Sequence, residues 1–285
     1  MHKIKIKTQI TPEIREQIRN LSLMNNYFMN LALEDNIPCV EEILSVILKR
    51  SDLHVKSVRT QKMFQGFMRS IYLDIYAEDS NGVIYNIEIQ QADEGADPRR
   101  ARFHTGMIDT HNLKAGQNFK ELPEVYVIFI TLNDILGMNQ TIYTIHKYID
   151  GSLKSFDDGS HLIYINGSAQ DDGTEIWKLI HDLRCTNPDE MYFPRLAARV
   201  KFLKEDEKGA AMVEDTLTKM IREASENAVK EAVKEAVKET AKKTEKKAKE
   251  NFALNLINLG KLTLDEIAKC SGLTLKRVQT LASTL

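Results

Sequence analysis

The sequence predicts an α/β fold, a mixed sheet flanked by helices, followed by a C-terminal α-helical extension. Three observations carry this expectation. "LDIYAEDSNGVIYNIEIQ", residues 73–90, alternates apolar and polar positions on both sides of an Asn-Gly turn signal. "VYVIFITL", residues 125–132, is a short unbroken apolar run, as in a strand covered on both faces. The composition then changes near residue 209 to a repetitive mixture of Ala, Lys, Glu and Val. A chain of 285 residues can bury one sizeable core and a smaller second one.

Taken in order, "MHKIKIKTQI" alternates like a short strand. Thr11 and Pro12 read as the N-cap and first position of a helix running toward Leu33. Pro38 punctuates, and "CVEEILSVILKR" predicts a second helix with Val40, Ile43, Leu44 and Ile47 on one face. "DLHVKSVRTQ" is a strand candidate ahead of the hairpin. Arg99 to Leu113 has helical spacing, with Gly116 as its stop. Strand, helix and buried strand in that order imply a right-handed crossover. "TIYTIHKYI" and "HLIYING" add two strands. "TEIWKLIHDLR" and "PDEMYFPRLAARVKFLKE" return to helix, with Trp177 assigned to the core. Residues 1–208 therefore form the expected main domain.

Residues 209–250, with "AVKEAVKEAVKETAKKTEKKAKE", predict a charged helical linker. Val229, Val233 and Val237 recur every four residues and drift around a helix instead of keeping one seam. An oligomerisation helix is the other reading. In residues 251–285, Thr263 and Glu266 form a capping-box pattern, Ser271-Gly272 a turn, and Thr274 the cap of a second helix carrying Lys276 and Arg277. That is a helix-turn-helix pattern, suited to DNA, or an ordinary α-hairpin.

The polar face of the hairpin carries the chemistry. A loop over residues 79–83 sets Asp74 opposite Glu88 and Tyr72 opposite Gln90. Two facing carboxylates repel. The arrangement is stabilised if a cation lies between them, and hard oxygen donors suit Mg²⁺ or Mn²⁺. The plainer reading is that this face meets water.

Other features narrow the class. The net charge of −2 excludes a uniformly basic coat. Cys39, Cys185 and Cys270 are odd in number and form no CxxC, which fits a reducing compartment and no thiolate zinc site. There is no signal-peptide apolar stretch and no run near the ~18 apolar residues of a membrane helix, so a cytoplasmic protein is expected. No P-loop, GxGxxG or nucleophile elbow is present. His104 and His111, seven apart on one helix, read as structural, and Tyr72 and Tyr76 as packing under a covering element.

"LDIYAEDSNGVIYNIEIQ" resembles motifs II and III of the PD-(D/E)XK nuclease superfamily. With "RRARFHTGMIDTHNLKAGQNF" and "LPEVYVIFI", the chain resembles the PD-(D/E)XK nuclease family transposases, relatives of recombination-promoting nucleases, from about residue 12 to residue 205. The resemblance implies a restriction-endonuclease-like sheet and Mg²⁺-dependent DNA cleavage in mobile-element recombination or transposition. Asp74 and Glu88 match the two metal-binding carboxylates, and the backbone carbonyl of Ile89 completes the protein ligands. Glu42, or Glu41, is the candidate helical acid. Gln90 stands where the superfamily usually has lysine; it can position water but carries no positive charge. Arg99, Arg100 and Arg102 are candidates for phosphate contact on DNA, and two sites in a homodimer would serve double-strand cleavage. The alternative is a catalytically degenerate descendant acting as a DNA-binding or scaffold module.

Overall fold

The computed structural model describes residues 12–90 and 93–284, so the strand expected near the N-terminus and the Thr11 cap lie outside the described residues. The chain divides into two compact units, one ending at Leu217 and one beginning at Thr218.

In the first unit the helix expected to run to Leu33 is two helices, α1 (Pro12–Arg19) and α2 (Asn26–Leu33). The Asn25 side chain accepts from the Phe28 amide at 3.1 Å and starts a new helix there. α3 (Ile37–Leu48) contains Pro38 in its first turn, where the missing N–H costs no hydrogen bond, and buries Val40, Ile43, Leu44 and Ile47. Three antiparallel strands follow, β1 (Val55–Phe64), β2 (Ile71–Asp79) and β3 (Ile84–Gln90). The β2–β3 turn closes as expected, with Asp79 N donating to Val83 O at 3.1 Å and Gly82 at φ +81°. Buried Asp79 secures it: its carboxylate accepts from the amides of Asn81 and Val83, each at 2.9 Å, and from the Tyr85 hydroxyl at 3.0 Å.

α4 (Pro98–Asn112) crosses over to β4 (Val125–Thr131), which lies parallel to β3. Its C-cap is Leu113 and not a residue at Gly116, which takes φ +88° in the loop beyond. β5 (Ile142–Ile145) and β6 (Ser160–Asn166) complete a six-stranded sheet in the order β1-β2-β3-β4-β6-β5, with β6 parallel to β4 and β5 an antiparallel edge. α5 (Glu175–Arg184) and α6 (Pro194–Glu205) follow; the residues before Pro194 form a separate short turn at Pro188–Glu190 instead of extending α6. Trp177 is half-buried at the margin, against His181 and Tyr192, and not in the core.

The sheet has two covered faces. Ile75, Ala77, Tyr85, Ile87, Ile89, Ile128 and Ile130 pack with α2, α3, α5 and α6. Tyr76, Ile84, Val127 and Phe129 pack with Ala101, Met107 and Ile108 of α4. The polar face of the hairpin therefore lies under a helix, and the reading in which it simply meets water is set aside.

α7 (Glu207–Leu259) spans the boundary residue, and Val213 near its start belongs to the first core. In the second unit Val233 and Val237 are exposed, while Glu239–Lys243 and Glu245–Lys249 form i,i+4 ion pairs at 2.7 and 2.6 Å. α8 (Leu264–Ser271) begins with the expected Thr263–Glu266 capping box and ends at Gly272 in the left-handed region, and α9 (Leu275–Ala282) is capped by Thr274. Ala253, Ile267, Ala268, Val278 and Leu281 form a small core.

Candidate active site

The site forms where β2 and β3 stop pairing. Their register runs from Glu78–Ile84 to Ile75–Ile87 and ends. One residue further, Asp74 and Glu88 face each other, and their side chains replace the backbone ladder. Glu88 Oε1 accepts from the Asp74 amide at 3.1 Å, and Asp74 Oδ2 accepts from the Ile89 amide at 3.1 Å. Each carboxylate thus occupies the place of a carbonyl on the opposing strand, and the strands part. Tyr72 consequently does not pair with Gln90 as expected; it is exposed and pairs with Met63 of β1.

β1 supplies a neighbour from the other side. Gln61 Nε2 donates to Asp74 Oδ1 at 3.0 Å. Asp74 is 8% exposed and Glu88 fully buried. Burial, and then the charge of Glu88, push the Asp74 carboxyl up to about 6, with the Ile89 amide, Gln61 and Arg100 opposing.

α4 closes the site from above. Asp97 caps it, so that Arg100 and His104, one turn apart, share the face turned to β3. Arg100 Nη2 donates to Glu88 Oε2 at 3.3 Å, Nη1 to Gln90 Oε1 at 3.4 Å, and Nε to His104 Nε2 at 3.3 Å. Because Nε2 accepts, the proton of a neutral His104 ring sits on Nδ1. Nδ1 lies 3.5 Å from Glu88 Oε1 and 3.1 Å from the Asn86 amide group. A protonated Nδ1 calls for the oxygen of Asn86 at that contact, and turning the amide over gives the otherwise unpartnered buried Asn86 oxygen its donor. Gly95 packs directly on the Gln90 carboxamide, where a Cβ would collide with it.

The structure thus brings Asp74, Glu88, Gln90 and Arg100 together. Arg99 and Arg102 are exposed on α4. Glu42 and Glu41 do not join the group, which corrects the expected helical acid: Glu42 accepts from the Leu196 amide of α6 at 3.2 Å, and Glu41 from the Val55 amide at 3.0 Å. The reason is topological, since α3 packs on the sheet face opposite α4. In the second unit Lys276 is exposed, while Arg277 pairs with Glu250 at 2.8 Å. His104, Asn86 and Gln61 were missed from the sequence. The i,i+4 spacing of Arg100 with His104 and the i,i+2 spacing of Asn86 with Glu88 were the available signals.

Among the described residues no group of three or more His, Cys, Asp or Glu surrounds a common point. The side chains here that could hold a metal are the carboxylates of Asp74 and Glu88. Such hard oxygens suit a cation that keeps several waters; burial, and then the charge of Glu88, raise the Asp74 carboxyl to about 6.

Fold and site together define a PD-(D/E)XK nuclease architecture: a mixed sheet, parting strands that carry two acids, and a helix crossing over them. A family model described as PD-(D/E)XK nuclease family transposase matches residues 31–254, and the chain belongs to that family. Membership gives it a nuclease or transposase role. No curated protein and no solved structure matches the chain significantly. No helix among the described residues is long and apolar enough to cross a membrane.

Proposed function

We propose that the chain is a metal-dependent DNA endonuclease that hydrolyses phosphodiester bonds, in mobile-element recombination or transposition. The observation that carries this reading is the interlocked Asp74–Glu88 pair, buried at the point where β2 leaves β3.

Asp74, Glu88 and the Ile89 carbonyl would hold Mg²⁺ or Mn²⁺. The bound metal would polarise a phosphoryl oxygen and lower the pKa of a water. Gln90 positions the attacking water through its carboxamide, which both donates and accepts. Exposed Arg99 and Arg102 meet phosphates flanking the scissile one. The water gives up a proton to solvent and adds to phosphorus as the P–O bond to the leaving sugar breaks, and the departing sugar oxygen takes up a proton from solvent. Residues 1–208 act as the nuclease domain, 209–250 as a linker and 251–285 as an accessory DNA contact through Lys276 on α9. Two chains acting as a homodimer would cut both strands, in the cytoplasm.

One observation favours a degenerate, DNA-binding descendant: each carboxylate already accepts from protein donors, and residue 90 is Gln. Nicking of supercoiled plasmid decides between the two. Metal-dependent nicking abolished by Asp74→Ala and by Glu88→Ala supports the nuclease. DNA binding without nicking, or nicking indifferent to both changes, supports the rival.

A further inference from the structure

We propose that Arg100 is a catalytic residue, supplying from α4 the positive charge that Gln90 cannot supply from β3. The proposal rests on the nuclease reading above and changes the role expected of Arg100, which is not one more contact along the DNA backbone.

The guanidinium is fixed from three sides. Nη2 holds Glu88, Nη1 holds the Gln90 carboxamide and Nε holds His104, at 3.3, 3.4 and 3.3 Å. A swinging surface arginine has no such set of partners, and neighbouring Arg99 and Arg102 are simply exposed. The anchors are themselves rigid. Glu88 is fully buried, His104 is 2% exposed, and Gln90 is seated on Gly95. Three of the five guanidinium N–H groups are thereby used, which leaves two for an incoming anion.

The charge is buried on one side and open on the other, with the Arg100 side chain 39% exposed. A phosphate entering beside Asp74 and Glu88 would meet it where β2 parts from β3. Fixed donors aimed at developing charge stabilise a transition state because they need no reorganisation when the charge appears. Gln90, with its oxygen tied to Nη1, retains its NH₂ group for water. The two residues thus share the work usually done by one lysine, with Arg100 carrying the charge and Gln90 the orientation. An arginine suits this split because its planar fork can hold two neighbours and still present N–H groups outward.

The test compares wild type, Arg100→Lys, Arg100→Gln and the double variant Gln90→Lys/Arg100→Gln. Single-turnover cleavage of a labelled DNA is measured with Mg²⁺, affinity for the same DNA by anisotropy without metal, and Mn²⁺ uptake by titration. Arg100→Gln is expected to slow cleavage about a hundredfold while metal-free DNA affinity stays within about twofold. Arg100→Lys, which keeps the charge but loses the fork, is expected to lose about tenfold. Gln90→Lys in the Arg100→Gln background is expected to restore at least tenfold. Removing a cation beside Glu88 is also expected to tighten Mn²⁺ binding about threefold or more.

Cleavage unchanged in Arg100→Gln, or rate and DNA affinity falling by the same factor, overturns the role given to Arg100 while the nuclease reading stands. Mn²⁺ affinity unmoved by Arg100→Gln also overturns it, since the charge would then not be held at Glu88. A wild-type chain that neither takes up Mn²⁺ nor cuts DNA overturns the nuclease reading, and this role with it.

Discussion

Asp74→Asn in metal-free protein is expected to stabilise the first unit at neutral pH, by an amount that vanishes in acid. The folded Asp74 carboxyl titrates at about 6, against an ordinary value of 3.8, because burial and Glu88 oppose its ionised form. Between these two values the folded chain holds a proton that the unfolded chain has released. Stability contributed by this group is therefore fully present below about 3.8 and falls as pH rises through 6. Two pKa units correspond to roughly 3 kcal/mol. Asp74 is only 8% exposed, so solvent screening takes little from this figure. Asn is a fair neutral replacement: its oxygen can accept from the Ile89 amide while its NH₂ faces a turned-over Gln61 amide.

The chain has a single tryptophan, Trp177 on α5, so its fluorescence follows the first unit alone. Urea denaturation read at Trp177, in chelator, is expected to give nearly equal midpoints at pH 4. By pH 7 the Asp74→Asn variant should lead by ~1 M urea. Mg²⁺ at a hundred times its Kd should then stabilise wild type by about 2.7 kcal/mol and leave the variant unmoved. A difference between the two proteins that is constant from pH 4 to pH 7 would refute the reasoning, because burial and Glu88 would then not govern Asp74.

Three further outcomes follow from the same geometry. Asp79→Ala removes the acceptor of two amides and the Tyr85 hydroxyl in a buried turn, and is expected to cost about 3 kcal/mol by the same urea assay; a loss below about 1 kcal/mol would mean water replaces the carboxylate. Gly95→Ala displaces the Gln90 carboxamide and is expected to lower the cleavage rate about tenfold with the urea midpoint nearly unchanged; an unaltered rate would deny Gln90 its positioning role. Glu42→Gln is expected to leave Mn²⁺ affinity within about twofold of wild type, because Glu42 caps α6; a tenfold loss would place it at the metal after all.

The sequence made the hairpin legible because its two signals are local. Alternation defines faces, and Asn81-Gly82 fixes the register that brings Asp74 to Glu88. What it did not disclose is that the ladder ends at Ile75–Ile87, since that follows from carboxylates displacing carbonyls across strands and leaves no mark on hydrophobic period. The break after α1 was signalled only by Asn25, a cap inside an otherwise helical stretch. The cover over the polar face was hidden for a different reason. α4 presents Arg100 and His104 to the sheet, and on a helix with so weak an apolar stripe, charge and imidazole read as solvent-facing until the strand beneath is known to carry Glu88 and Asn86. Placement of Glu42 required knowing which face of the sheet α3 would cover. That is a tertiary choice.

The electrostatics of the site explain why these parts occur together. Asp74 and Glu88 bring two negative charges into a place where neither is well hydrated, and Arg100 returns one positive charge to Glu88. His104 Nδ1 lies 3.5 Å from the same Glu88 carboxylate. The two carboxylates and Arg100 sum to one negative charge, and burial, then Glu88, displace the Asp74 carboxyl upward to about 6. A lysine at position 90 in place of Gln, added to Arg100, would neutralise the pair and weaken its hold on a cation. Gln90 with Arg100 keeps one charge fixed on the helix side and leaves the deficit on the strand side, where a divalent ion can offset it. On the role proposed for Arg100, Gln90 and the arginine on α4 are two halves of one arrangement. Separating them experimentally, as in Gln90→Lys with Arg100 left in place, is expected to weaken Mn²⁺ binding relative to wild type. Tighter binding in that variant would show that the two charges do not act on the same carboxylates.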